Sequence, residues 1–216
     1  MIYLSLDTNA LLDICFRVYP EQTFPKLWEM LDDLTLTTTI KFCACSSILE
    51  ETRSKCAFFA YDESILDSFL TRFRVIIIDR DEVGSRILNI RTKLLAYPFA
   101  AGSAHATKDE PDVDLIATAQ KYNTSGFVIT GEIGFIGADW DAFNARARRK
   151  EQIKIPDICA LIGVQSSSWL QLFQRYNFTL DYILMVKILL KLFEFLRYIE
   201  KIKNKILKLK STMGLR

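Results

Sequence analysis

Histidine is almost missing from this chain: His105 is the only one in 216 residues. Zinc hydrolases and Ser–His–Asp triads lean on histidine, so both chemistries are set aside. Cysteine occurs five times, at Cys15, Cys43, Cys45, Cys56 and Cys159, an odd count with no C-x-x-C pair. That pattern speaks against a disulfide framework or a thiolate zinc site, and for buried free thiols in a reducing, cytoplasmic setting. With these ligands scarce, a bound metal would be held by carboxylates, which favours a hard ion such as Mg²⁺ or Mn²⁺. The start, MIYLSLDTN, lacks a basic stretch and a small-residue cleavage site, so no signal peptide is expected. Internal repeats and low-complexity segments are also missing.

What is present is apolar residue: half the chain, against 25% charged. That suits one globular domain with a sizeable core plus an appendage. The net charge of +2 hides an asymmetry. Residues 187–216 hold nine Lys/Arg against two Glu, a net +7, so the preceding 186 residues carry −5. A mildly acidic body bears a basic tail, which concerns partners rather than fold.

Short, continuous, often β-branched apolar runs predict strands at 2–6, 41–45, 75–78 and 127–130, with a weaker one at 152–155. Helical patterns lie between them, at 24–34, 47–58, 64–73, 83–95 and 113–122. Alternating strands and helices predict an α/β fold with a mainly parallel sheet. Residues 96–110 and 131–138 are predicted loops. From 180 to 209 the chain is long, apolar and basic, and the domain boundary is placed at 179/180. Lys187, Lys191 and Glu194 interrupt that segment, so it is not read as a membrane span. An amphipathic helix packing on the body or on a second subunit is expected, with a membrane-surface or nucleic-acid-binding helix as alternatives.

Active sites of parallel sheets gather at the carboxyl ends of strands. The first predicted strand ends in Asp7, beside Thr8 and Asn9. A helix cap is the plain role for Asp7, but Asn9 can serve it, which frees Asp7 to point over the sheet. In CSSILEETRSK, Ser47 and Glu50 have the spacing of a capping box. Glu51, about 100° further round the helix, has no such duty. In DEPDVDLIATA, Pro111 starts a helix, and Asp112 and Asp114 lie about 200° apart in its first turn, so they cannot face the same way. One is free for chemistry and the other is expected to be solvated. FVITGE repeats the pattern of LSLDTN: a core strand, Thr130, a glycine, then Glu132.

Together LDTN, ILEE, DVDLIATA and VITGE resemble the PIN-domain nucleases, in order and spacing, over about residues 2–165. FPKLWEML and KIPDICALIGV are similar to an uncharacterised PIN subgroup related to VapC-type toxin ribonucleases. The resemblance implies a three-layer α/β sandwich around a mainly parallel sheet of about five strands, and a helical extension beyond it. It places Asp112 rather than Asp114, and Glu51 rather than Glu50, in the family's acidic positions. Asp7, Glu51, Asp112 and Glu132 then form the catalytic, metal-binding set, for one or two Mg²⁺ or Mn²⁺ ions. Asn9 and Thr130 would orient carboxylates. Asp157 is an outer ligand or a helix cap, and Asp114 a possible addition. The activity implied is metal-dependent endoribonucleolytic cleavage that leaves a 5′-phosphate. Arg146, Arg148, Arg149 and Lys150 are either RNA contacts or a solvated face, and Trp140 and Phe143 either stack on bases or pack in the core. Two departures are Glu132, where many members carry Asp, and Ser46–Ser47, where proline is common.

The same likeness implies the toxin of a toxin–antitoxin pair, with a cognate antitoxin protein and a homodimer as partners; the charges within the C-terminal segment make a membrane an unexpected partner. A catalytically weak PIN-fold module that binds RNA or protein is the rival reading. A flavodoxin-like binder ranks below both, because DTNAL lacks a glycine-rich phosphate cradle.

Overall fold

The computed structural model describes residues 1–37, 40–108, 110–136, 139–146 and 153–178. The expected tail (180–216) and Arg148, Arg149 and Lys150 lie outside them. The chain divides into two compact units, Met1–Leu172 and Phe173–Arg216, a few residues before the expected boundary. In the second unit the described part ends at Phe178, whose amide donates to the Phe173 carbonyl at 3.1 Å.

In chain order the elements are β1 (Ile2–Leu6), α1 (Thr8–Leu12) continuing into a π-helical turn (Asp13–Arg17), α2 (Pro25–Leu36), β2 (Ile40–Cys45), α3 (Ser46–Phe59) and α4 (Glu63–Arg72). Next come β3 (Ile76–Ile78), α5 (Gly84–Leu95), α6 (Ala104–Thr107), α7 (Pro111–Lys121) and β4 (Gly126–Ile129). The described elements close with α8 (Trp140–Arg146), α9 (Ile155–Ile162), β5 (Gln165–Ser167) and α10 (Trp169–Arg175). The fold is α/β, a five-stranded, all-parallel sheet flanked by helices, with strand order β3-β2-β1-β4-β5. Among the described residues, no helix is long and apolar enough to cross a membrane. All five cysteines are buried and free.

The strand order has a functional consequence. From β1 the chain builds outward through β2 and β3, then crosses back and adds β4 on the other side of β1. The connections therefore diverge between the carboxyl ends of β1 and β4, which opens a crevice there. Asp7 and Thr130 are the residues that follow these two strands. The ladder runs on to both, since the Asp7 amide donates to the Ile129 carbonyl and the Thr130 amide to the Ser167 carbonyl, each at 3.0 Å.

The core explains the register. β1, β2 and β4 present near-continuous apolar faces, as strands covered on both sides do. α7 is buried from Val113 to Ala119, and its Leu115 carbonyl accepts from the Ser5 hydroxyl at 3.0 Å. Gly126 lets that helix approach β4, because a Cβ there would stand 1.8 Å from the Ala119 carbonyl oxygen. Trp28, Phe42, Phe69 and Phe73 form an aromatic cluster with centroids 4.8–5.9 Å apart. Truncating any one of these rings costs about 3–5 kcal/mol.

The fifth strand departs from expectation. Of the expected run 152–155, residue 152 lies outside the described residues and the other three do not form a strand: Ile155 begins α9, with Pro156 in the first turn and Gly163 ending the helix at φ +78°. The strand that pairs with β4 is Gln165–Ser167. It is a short polar edge strand, so it carries no apolar signal, and its pairing comes from the turn that α9 makes into the sheet edge.

Candidate functional site

Asp7 occupies the N-cap position of α1 but makes no capping hydrogen bond. Its carboxyl is 2% exposed and accepts from the Thr130 hydroxyl at 3.0 Å. Among the described residues no cation pairs with it. Burial, then the negative charge of Asp112, and further Glu132 and Glu51, push its pKa up to about 7 against the lowering by Thr130. Asp112, in the first turn of α7, is raised to about 6. Burial is again the main cause, with Glu132, Glu51 and Glu110 adding to it and His105 opposing. The charges of Glu51 and Glu132 thus act on both Asp7 and Asp112, and that of Asp112 on Asp7, from four places distant in sequence.

The two glutamates at the rim are otherwise engaged. Glu51, on α3, accepts from the Thr8 hydroxyl at 2.6 Å and pairs with Lys55 at 2.8 Å. Glu132 accepts from the Ile155 amide at 2.9 Å, at the positive end of α9, and Lys154 lies 3.4 Å from its other oxygen. Among the described residues, no three His, Cys, Asp or Glu side chains are posed as a ready-made set for one ion. The fit of a divalent cation therefore rests on the donor chemistry. One buried and one part-buried carboxylate repel one another beside two longer acids, each of which counts a lysine among its partners. A divalent cation relieves that repulsion, and hard oxygen donors suit Mg²⁺ or Mn²⁺.

Several side chains sit elsewhere than expected. Asp114 is not solvated: it is 1% exposed, accepts from Ser47 at 2.7 Å and pairs with Arg80 at 3.0 Å. The Ser47–Glu50 capping box does not form, since the Ser47 hydroxyl turns to Asp114 and Cys45 holds the N-cap position. Among the described residues no hydrogen bond joins Asn9 to one of the four acids; its side-chain oxygen accepts from Arg17 at 3.2 Å, and Arg17 also reaches Asp13 at 2.9 Å. Thr130 does donate to Asp7, and its hydroxyl also accepts from the Glu132 amide at 3.1 Å.

Asp157 is committed to the loop that carries Glu132. One oxygen accepts from the amides of Phe135 and Ile136 at 2.9 and 2.8 Å, and the other from the Lys154 amide at 3.1 Å. With both oxygens held by backbone, it is an anchor rather than an outer ligand. Trp140 packs in the core at 2% exposure, against Tyr97 and Phe99, and donates to the Asp157 carbonyl. Phe143 is half-buried between Phe99 and Phe135. Arg146 belongs to α8, on the far side of that loop in sequence.

Three contributors escape sequence reasoning. Thr8 holds Glu51, and Lys154 faces Glu132. His105, the only histidine and given no role from sequence, places Nδ1 at 3.5 Å from an Asp112 oxygen and Nε2 at 3.3 Å from the Ile153 carbonyl. The DTN triplet hints at Thr8, but nothing local marks the other two, which meet the site across 22 and 7 residues of chain.

The family model described as "Domain of unknown function (DUF4411)" matches residues 3–180, so the chain belongs to that family. No curated protein matches the chain.

Proposed function

We propose that this family member is a divalent-metal-dependent endoribonuclease of the PIN type. One observation carries the reading: Asp7, Glu51, Asp112 and Glu132, from four elements distant in sequence, gather where the sheet's connections diverge. Burying Asp7 beside other carboxylates that repel it destabilises a fold unless something compensates, so the arrangement is a functional candidate.

Asp7 and Asp112 would hold the metal most directly, with Glu132 and Glu51 turning in from the rim. Bound there, Mg²⁺ or Mn²⁺ would supply an activated water and charge neutralisation at the phosphate. The chain's own groups set the geometry. Thr130 fixes the Asp7 carboxyl and the direction of the backbone at Glu132, and Thr8 aligns Glu51. Lys55 and Lys154, released from the glutamates, stand beside a phosphodiester strand as counter-charges. RNA as the substrate, a cytoplasmic toxin role, a cognate antitoxin and a homodimer rest on the PIN and VapC likeness.

The test is cleavage of a fluorescent single-stranded RNA with Mn²⁺, beside calorimetric titration of the metal. Asp7→Asn and Asp112→Asn should each abolish cleavage and weaken metal uptake. A double variant as active as the parent would locate the chemistry elsewhere. A second reading, a catalytically weak binding module, is favoured by Glu132 serving as a cap for α9. Calorimetry separates the two, because the module would take up RNA but no Mn²⁺.

A further inference from the structure

A cavity of about 440 Å³ adjoins the carboxylate cluster, and Glu132 forms part of its wall. Its volume lies within the usual range of ligand sites, about 300–1,000 Å³. Ile133, Pro156 and Leu170 give it apolar surface, and Ser167, Ser168 and Gln171 give it a polar side.

Both sides are built. The loop after Glu132 is held by the buried Asp157 through the amides of Phe135 and Ile136. Gly134 lies so close that a Cβ would meet an Asp157 oxygen at 2.7 Å. That anchoring fixes the backbone around Ile133, which is nonetheless 86% exposed, and Phe135, which is 50% exposed. Opposite, the Gln171 side-chain oxygen accepts from the Ser168 amide at 2.9 Å and from the Ser167 hydroxyl at 3.3 Å. A backbone amide only donates, so the side-chain orientation is settled and the Gln171 NH₂ group is left to donate outward.

We infer that this cavity takes a nucleobase of the substrate strand, the one next to the phosphodiester at the carboxylates. The inference rests on the nuclease reading and adds to it a place where base identity is sensed. A base has apolar faces and an edge of hydrogen-bond acceptors. Ile133, Pro156 and Leu170 match the faces, and the Gln171 NH₂ and the Ser168 hydroxyl, whose oxygen accepts from the Gln171 amide and whose hydrogen is left over, match the edge. Splayed, single-stranded bases are what such pockets recognise. Because Glu132 belongs to both cavity and cluster, a seated base sets which phosphodiester lies over the acids.

The experiment uses the full chain and a short single-stranded RNA carrying 2-aminopurine at successive positions. Ca²⁺ replaces Mg²⁺, and the strand is checked intact on a gel. Ile133→Ser alters an exposed side chain, and Gln171→Glu keeps the oxygen that Ser168 requires while removing the NH₂ donor. The expected result is a fluorescence change confined to one position, about tenfold weaker binding for each variant, and an altered base preference for Gln171→Glu. If the parent binds and cuts RNA but both variants match it, the base site falls and the nuclease reading stands. If the parent binds no RNA, both fall. If Ile133→Ser leaves RNA binding intact but disperses a protein assembly, the exposed loop is a protein contact and the base site is overturned.

Discussion

The hydroxyl of Thr130 donates to the Asp7 carboxylate at 3.0 Å, and the same oxygen accepts from the Glu132 amide at 3.1 Å. One small side chain thus links the ends of two neighbouring parallel strands and two of the four acids. Groups that orient a ligand typically contribute 10–100-fold in metal affinity. Thr130→Val keeps the shape and removes the hydroxyl, so Mn²⁺ affinity should fall by about that factor in calorimetry. Thr130→Ser should restore most of it. Equal affinities for Val and Ser would mean that the hydroxyl orients nothing.

Asp7 gives a pH signature with a definite sign. Its pKa rises from 3.8 to about 7 on folding, so the native chain keeps a proton that the unfolded chain releases. Below about pH 4 the group contributes no difference. As pH rises from there to about 7, its contribution to the stability of the metal-free fold falls by a few kcal/mol. Asp112 adds in the same direction up to about pH 6. In EDTA at pH 8, Asp7→Asn should therefore be more stable than the parent in urea unfolding, and at pH 4 the gap should close. With Mn²⁺ at a hundred times its Kd the parent gains about 2.7 kcal/mol, which narrows or reverses the order. A gap between Asp7→Asn and the parent in EDTA that does not widen from pH 4 to 8 would contradict the raised pKa of Asp7.

Asp157 separates an anchor from a ligand. It is 1% exposed and accepts three backbone N–H groups. Asp157→Ala leaves those donors without their partner, at about 1–3 kcal/mol each if they stay buried. A loss of at least about 3 kcal/mol in chemical denaturation is expected. Asp157→Asn, which keeps one oxygen for Phe135 and Ile136, should lose less. For Asn, Mn²⁺ stoichiometry measured where the protein is folded should match the parent. A lost metal equivalent would return Asp157 to the ligand set.

Sequence and structure agree where the signal is local. Four strands are visible because their apolar runs are buried on both faces. The candidate acids Asp7, Glu51, Asp112 and Glu132 stand out in the sequence by position, each at a strand tip or in the first turns of a helix; their role is the proposal that metal titration tests. What escapes is settled by partners remote in sequence. Ser47 has the spacing of a capping box with Glu50, yet a buried carboxylate 67 residues away takes its hydroxyl. Asn9 lies beside Asp7 in the chain, but the π-helical turn brings Arg17 back onto it. β5 is three polar residues whose only reason to be a strand is the open edge of β4.

His105 is the remaining case, and its effect on Asp112 can be read out. Nε2 faces the Ile153 carbonyl, which only accepts, so that nitrogen carries a hydrogen, and Nδ1 lies toward Asp112, where the ring favours the carboxylate when both nitrogens are protonated. His105 lowers the Asp112 pKa, while burial and the neighbouring acids raise it to about 6. Removing the ring leaves the raising influences unopposed. In His105→Gln, Asp112 should hold its proton to higher pH. Protons and metal compete for the same carboxylate, so half-maximal Mn²⁺ uptake should move to higher pH. Affinity at pH 8.5, where Asp112 is ionised in both proteins, should change less than affinity at pH 6. A uniform loss at both pH values would instead assign His105 to holding α6 in place, and an unchanged profile would remove it from the site.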